Sequence, residues 1–168
     1  MIIVIHDANV LIDLHSAKLL DMFFQLDFES HTTDLVVAEI EQPLAPFIKS
    51  KRLRVKNWDA EELGQLALSR LAQPKQISIQ DCSVLILTQR LGGILLTGDG
   101  NLRHCGAQAG LEVRGTLWVF DQLVESTRLS KRDAARLLEK LISEGRRLPA
   151  GACNERLQTW RGQKEAGT

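Results

Sequence analysis

The sequence predicts an α/β protein, a mostly parallel sheet wrapped by helices on both faces. Two short apolar runs, Ile2-Ile3-Val4-Ile5 and Ile94-Leu95-Leu96 ahead of Thr97, have the length and composition of strands buried on both sides. Between runs of this kind lie stretches whose apolar residues recur at helical spacing. Helix start and stop signals separate the two kinds of segment, Ser78 with Asp81 opening one helix and Gly92-Gly93 closing it. Strands that alternate with helices pair in parallel, because each helix returns the chain to the end where the next strand begins.

Taken in order, Ile2 to Ile5 is the first strand, followed by Asp7-Ala8-Asn9 and an apolar helix pattern from Val10. A second helix is expected over 17–26 and a short alternating strand over 28–32. Thr33-Asp34 caps a helix holding Val36, Val37, Glu39 and Ile40, which must end near Pro43 because proline has no N–H to give. Leu53-Arg54-Val55-Lys56 alternates like a strand with one wet face. Asp59-Ala60-Glu61-Glu62 resembles a capping box, with Leu63, Leu66, Ala67 and Leu71 following at helical spacing. After the Ser78 helix and the Ile94 strand, Gly98-Asp99-Gly100-Asn101 leads into a helix that Gly110 ends. Glu112-Val113-Arg114 is a short strand and Leu117 to Val124 a helix. Beyond Ser126 the pattern is purely helical: Ser130 with Asp133 opens a helix ending at Gly145, and a weaker one follows around 154–160. The expected organisation is one domain over 1–126 and a helical extension over 127–168 packed on it, with no internal repeat.

Composition excludes several classes. An apolar fraction of 44% and a charged fraction of 25% are enough for a packed core, which argues against a disordered chain. No apolar run approaches the ~20 residues that span a bilayer, and Met1 to Asp7 shows no basic leader, so a cytoplasmic location is expected. Cys82, Cys105 and Cys153 match neither a zinc site nor a disulfide framework and are expected reduced. His6, His15, His31 and His104 lack metal-binding spacing. Net charge is zero but uneven: residues 1–48 hold eight acids against Lys18, whereas 49–168 hold thirteen acids and twenty bases. The basic portion has the sign to attract a polyanion.

In a parallel α/β sheet, ligands bind at the carboxyl ends of the strands. Asp7 follows the first strand and Asp99 the fourth, while Asp81 lies in the first turn of a helix that starts at that same rim. An acid early in the helix after the second strand would join them, and Glu39 and Glu41 flank its apolar stripe on opposite sides. Carboxylates gathered there repel one another and favour hard cations with oxygen ligands, Mg²⁺ or Mn²⁺. Such ions activate water in line with a phosphodiester and stabilise the departing oxygen. Asn9, Thr97 and Asn101 are placed to orient ligands or waters. Each acid also has a plainer use: Asp7 as a helix cap, Asp81 as the partner of Ser78, Asp99 as turn chemistry.

These positions are where the sequence resembles the PIN-domain family. The resembling segments are Val4-Ile5-His6-Asp7-Ala8-Asn9-Val10-Leu11, Val36-Val37-Ala38-Glu39-Ile40, Gln80-Asp81-Cys82-Ser83-Val84-Leu85-Ile86-Leu87 and Leu95-Leu96-Thr97-Gly98-Asp99-Gly100-Asn101-Leu102. The resemblance selects Glu39 over Glu41. It implies a three-layer α/β/α sandwich with a five-stranded parallel sheet in the order 3-2-1-4-5. It further implies a ribonuclease using Mg²⁺ or Mn²⁺ held by Asp7, Glu39, Asp81 and Asp99. Many bacterial relatives are VapC-like toxins neutralised by a small antitoxin in the acidic groove, and many are homodimers. Two features depart from that pattern: Asn101 stands where family members often have a second acid, and the helical tail resembles an extended subgroup of PIN-like proteins.

Lys51, Arg52, Arg54 and Lys56 are candidate RNA contacts, or the charges that protect an edge strand from aggregation. Arg128, Lys131, Arg132 and Arg136 in the tail carry the same alternatives, and Trp58, Trp118 and Trp160 are expected to pack rather than stack on bases. A haloacid-dehalogenase-type phosphatase needs an acid where Asn9 stands, and neither a dinucleotide fingerprint nor a P-loop is present. The competing class is a PIN-like module that binds RNA or a protein without cutting.

Overall fold

The computed structural model describes residues 2–162. Its sheet comprises β1 (Ile2–His6), β2 (Phe28–Thr33), β3 (Leu53–Lys56), β4 (Ile94–Leu96) and β5 (Glu112–Arg114). All pairs are parallel, in the order β3-β2-β1-β4-β5, with Ile5 beside His31 on one side and Leu95 on the other. The expected 3-2-1-4-5 sheet is therefore present.

Strand alternation builds the three layers. Successive side chains point to opposite faces, so Val4 and Leu96 enter one core while Ile5 and Leu95 enter the other. The first core is closed by α1 (Ala8–Ser16), α2 (Leu20–Phe23), α8 (Thr116–Glu125), α9 (Lys131–Ser143) and α10 (Ala150–Arg161). The second is closed by α5 (Ala60–Leu71), α6 (Ile79–Leu91) and α7 (Gly100–Gln108). Two short helices, α3 (Asp34–Val37) and α4 (Ala45–Lys49), join β2 to β3. Gly93 lets β4 come in against β1, since a Cβ there would stand 2.5 Å from the Ile5 side chain and 2.8 Å from the Ile3 carbonyl.

The tail completes the first core. Leu138 and Leu141 of α9 and Cys153 and Trp160 of α10 are buried with Val10, Leu11 and Phe120. The Trp160 ring stacks on Phe120 at 6.1 Å. Arg156 grips both oxygens of Asp121, at 2.9 and 2.5 Å, and ties α10 to α8. Four buried side chains of this size represent several kcal/mol of hydrophobic stabilisation, at roughly 1.5–3 kcal/mol for each large one.

Local structure corrects three boundaries and adds one helix. The helix expected over 17–26 is only α2, because Lys18 turns left-handed (φ 58°) and ends α1. The helix after β2 is the single turn α3, capped by Thr33 Oγ1 accepting from Val36 N–H at 3.2 Å. Helix α4 was not expected, although Pro46 in its first turn is a start signal. Helix α10 begins at Ala150, not near 154, directly after Pro149.

Candidate metal centre

Strand β1 leads toward β2 and β4 toward β5, so the chain diverges in opposite directions at the carboxyl ends of this central pair. That is the switch-point crevice of an open parallel sheet. Asp7 stands at the end of β1 and its N–H donates to the Leu96 carbonyl at 2.9 Å. Thr97 stands at the end of β4 and its hydroxyl donates to Asp7 Oδ2 at 2.8 Å. The same hydroxyl accepts from the Asp99 N–H at 3.0 Å, so one buried threonine couples the two acids on either side of the crevice. Asn9 reaches Asp7 Oδ2 at 3.4 Å. Asn101 is exposed on the first turn of α7.

The plainer uses of these acids are also present. Asp7 Oδ1 accepts from the Ala8 N–H at 2.7 Å and caps α1. Asp99 Oδ1 accepts from the Leu102 N–H at 2.8 Å and caps α7. Asp81 Oδ2 accepts from the Ser78 N–H at 2.7 Å, the returning half of a capping box on α6. Each cap occupies one oxygen, leaving Asp81 Oδ1 and Asp99 Oδ2 without a hydrogen bond among the described residues. Capping thus fixes the carboxylates without exhausting them. Glu39 lies just beyond α3, on an exposed turn closed by its N–H to the Val36 carbonyl at 3.0 Å.

Electrostatics joins the four groups. Burial pushes the Asp7 carboxyl up to about 6, and the charges of Asp81 and Asp99 push it further in that direction. The Thr97 and Ala8 hydrogen bonds pull it back. Burial also raises Glu39, again with help from Asp81. Asp81 thus acts on both Asp7 and Glu39, and Asp99 acts on Asp7. Among the described residues no group of three or more His, Cys, Asp or Glu side chains stands ready to hold one ion. The oxygens that capping leaves over, Asp81 Oδ1 and Asp99 Oδ2, are the donor type that Mg²⁺ takes, an ion that keeps several waters and is commonly bound by only one or two carboxylates.

The other sequence candidates are largely engaged. Arg54 pairs with Glu29, Lys56 lies 2.7 Å from Glu62 and over the Trp58 ring, and Arg52 is 3.7 Å from Asp21. Lys51 is exposed in the turn before β3, the edge strand. Trp58 and Trp160 are buried, and Trp118 stacks on Phe28 at 5.5 Å. All three cysteines are free and buried.

Sequence reasoning missed Asp13 and Arg146. Asp13 is 4% exposed on the apolar face of α1 and accepts from the Thr116 hydroxyl at 2.7 Å and from Arg146 Nε. Its signal was an acid set among Val10, Leu11 and Leu14 at helical spacing. His6, beside Asp7, is fully buried against Phe23 and Phe24 and stays neutral, burial lowering its pKa to about 3.

A family model described as a PIN domain (DUF3368) matches residues 3–162, nearly the whole chain. No curated protein matches it.

Proposed function

This chain belongs to the PIN-domain family, and from that premise we propose that it is a ribonuclease dependent on Mg²⁺ or Mn²⁺. Family membership alone does not decide activity, since the fold serves members that cut and members that only bind. The observation that carries the proposal is the buried Asp7 carboxylate at the switch point, linked through the Thr97 hydroxyl to Asp99 across the crevice. A buried acid pushed up to about 6 by burial and by two neighbouring acids is costly to keep ionised without a cation.

Asp7 and Asp99 would hold the ion from the two sides of the crevice, with Asp81 and Glu39 extending the negative surface along the rim. A bound divalent ion supplies charge neutralisation and an activated water for attack on phosphorus. Thr97 fixes the Asp7 carboxylate through its 2.8 Å hydrogen bond, so Asp7 loses little freedom on binding. Asn9 limits the same oxygen from the other side. Within this reading, a small antitoxin would act by covering the acidic rim.

The second reading, a PIN fold that binds without cutting, is favoured by one specific observation. Three of the four acids cap helices, and no three acids converge on one point among the described residues. Incubation of purified protein with labelled RNA separates the two. Cleavage in Mn²⁺ that chelator stops and Asp7→Asn abolishes supports the ribonuclease. Equal cleavage by wild type and Asp7→Asn marks a contaminant and removes the support, and metal binding without cleavage favours the binding module.

A further inference from the structure

Beside the acid crevice, the tail and the β5–α8 junction enclose a cleft of about 780 Å³. Gly98 and Arg147 line both this cleft and a smaller cavity of about 310 Å³ that Asn9 and Asp99 also line, so the two spaces adjoin. Two of the arginines in the larger cleft are neutralised: Arg114 by Glu112 and Arg156 by Asp121. The other two, Arg103 and Arg147, pair with no carboxylate among the described residues and are exposed.

The fold places both arginines: a hydrogen bond holds the Arg103 side chain, and an anchored neighbour sets the backbone position of Arg147. Arg103 extends from α7 and its Nη2 donates to the Thr97 carbonyl at 3.2 Å. Gly115 makes room for that guanidinium, since a Cβ there would stand 2.8 Å from Nη2. Arg147 follows Arg146, whose Nε is anchored on the buried carboxylate of Asp13, itself bonded to Thr116. The anchor pins the loop between α9 and α10, and the next side chain then lies along the crevice. Much of the remaining wall is apolar, with Leu117, Trp118 and Leu148 among its side chains.

We propose that this cleft binds a nucleotide of the RNA strand next to the cleavage position, its phosphate on Arg103 and Arg147 and its base against Leu117 and Leu148. The ligand's identity rests on the ribonuclease reading. Its placement rests on charge: a pair of unneutralised arginines with an apolar wall complements one nucleotide and sits at the edge of an acidic crevice that would otherwise repel the strand. The tail thereby contributes Arg147 and Leu148 to the strand-binding surface.

The test is binding of a fluorescent single-stranded oligoribonucleotide to full-length Asp7→Asn protein in Mg²⁺, across a salt series, with and without Arg103→Ala and Arg147→Ala. Each arginine removed is expected to weaken binding severalfold and to flatten the plot of log affinity against log salt by about 0.7. Thermal melting checks that the variants remain folded. Unchanged affinity and slope in both variants, or no binding by the Asp7→Asn parent, overturns the proposal even if wild type cleaves RNA. Arginine-dependent binding by a protein that never cleaves would retain the cleft and dismiss the nuclease. If Arg147→Ala leaves RNA binding intact and converts a dimer to a monomer in sedimentation, the cleft holds a second copy and the proposal falls.

Discussion

Replacing Asp7 with Asn should stabilise the protein when no divalent ion is present. The carboxyl is raised from 3.8 to about 6, so the folded state binds this proton more tightly than the unfolded chain. Stability from this group therefore falls as pH rises from 3.8 through about 6, and the full penalty applies above that window. At 1.36 kcal/mol for each tenfold change, the penalty at pH 7 is about 3 kcal/mol. Asn keeps the cap on α1 through its carbonyl oxygen and turns its amide toward the Thr97 hydroxyl, so roughly half of that gain should survive. For a chain of this size, 1–2 kcal/mol corresponds to a rise in Tm of about 3–6 °C. The assay is thermal melting at pH 7.5, first in chelator and then in millimolar Mn²⁺. In Mn²⁺ the order should reverse, because an ion at a hundred times its Kd stabilises wild type by about 2.7 kcal/mol and has lost its ligand in the variant. A lower Tm for Asp7→Asn in chelator, with wild type indifferent to Mn²⁺, would refute the electrostatic account of this site.

Activity and Mn²⁺ affinity should both rise with pH up to about 6 and level off above it, as the metal displaces the Asp7 proton; a flat profile between pH 5 and 7 contradicts that assignment. His6 stays neutral in the fold down to about 3 while the unfolded chain protonates near 6.5, so stability should drop as pH falls through that interval. His6→Phe should remove much of that dependence, read as urea midpoints at pH 7 and 4.5. Arg146→Ala should cost about 3 kcal/mol in denaturant unfolding, because it strands the buried Asp13 carboxylate. Asp13→Asn combined with Arg146→Ala should cost clearly less than the two single changes added together.

The sheet is readable because its two central strands are short apolar runs that send Val4 and Leu96 into one core and Ile5 and Leu95 into the other, a pattern that admits few other readings. The rim acids were readable for a related reason: they sit at strand ends and first helical turns, positions that local signals mark well. The broken helix after α1 was not, since a left-handed Lys18 carries no residue signature of the kind a glycine gives. Glu39 was assigned to a helix that stops at Val37, because the apolar stripe continues through Ile40 into turns of similar spacing. Arg146 and Asp13 lie 133 positions apart and meet only through the packing of α9 on the core, which no local pattern encodes. Capping is the plainer use the sequence offers for Asp7 and Asp81, and turn chemistry the one for Asp99; in the structure Asp99 caps α7 instead, and one oxygen stays available on both Asp81 and Asp99.

The central claim is tested most directly by diffraction from crystals soaked in Mn²⁺, with data collected at the manganese absorption edge. An anomalous peak at the carboxyl ends of β1 and β4, about 2.1 Å from oxygens of Asp7 and Asp99, is the predicted result. Full soaking with no peak in that crevice, or a peak held only by surface acids elsewhere, would contradict it.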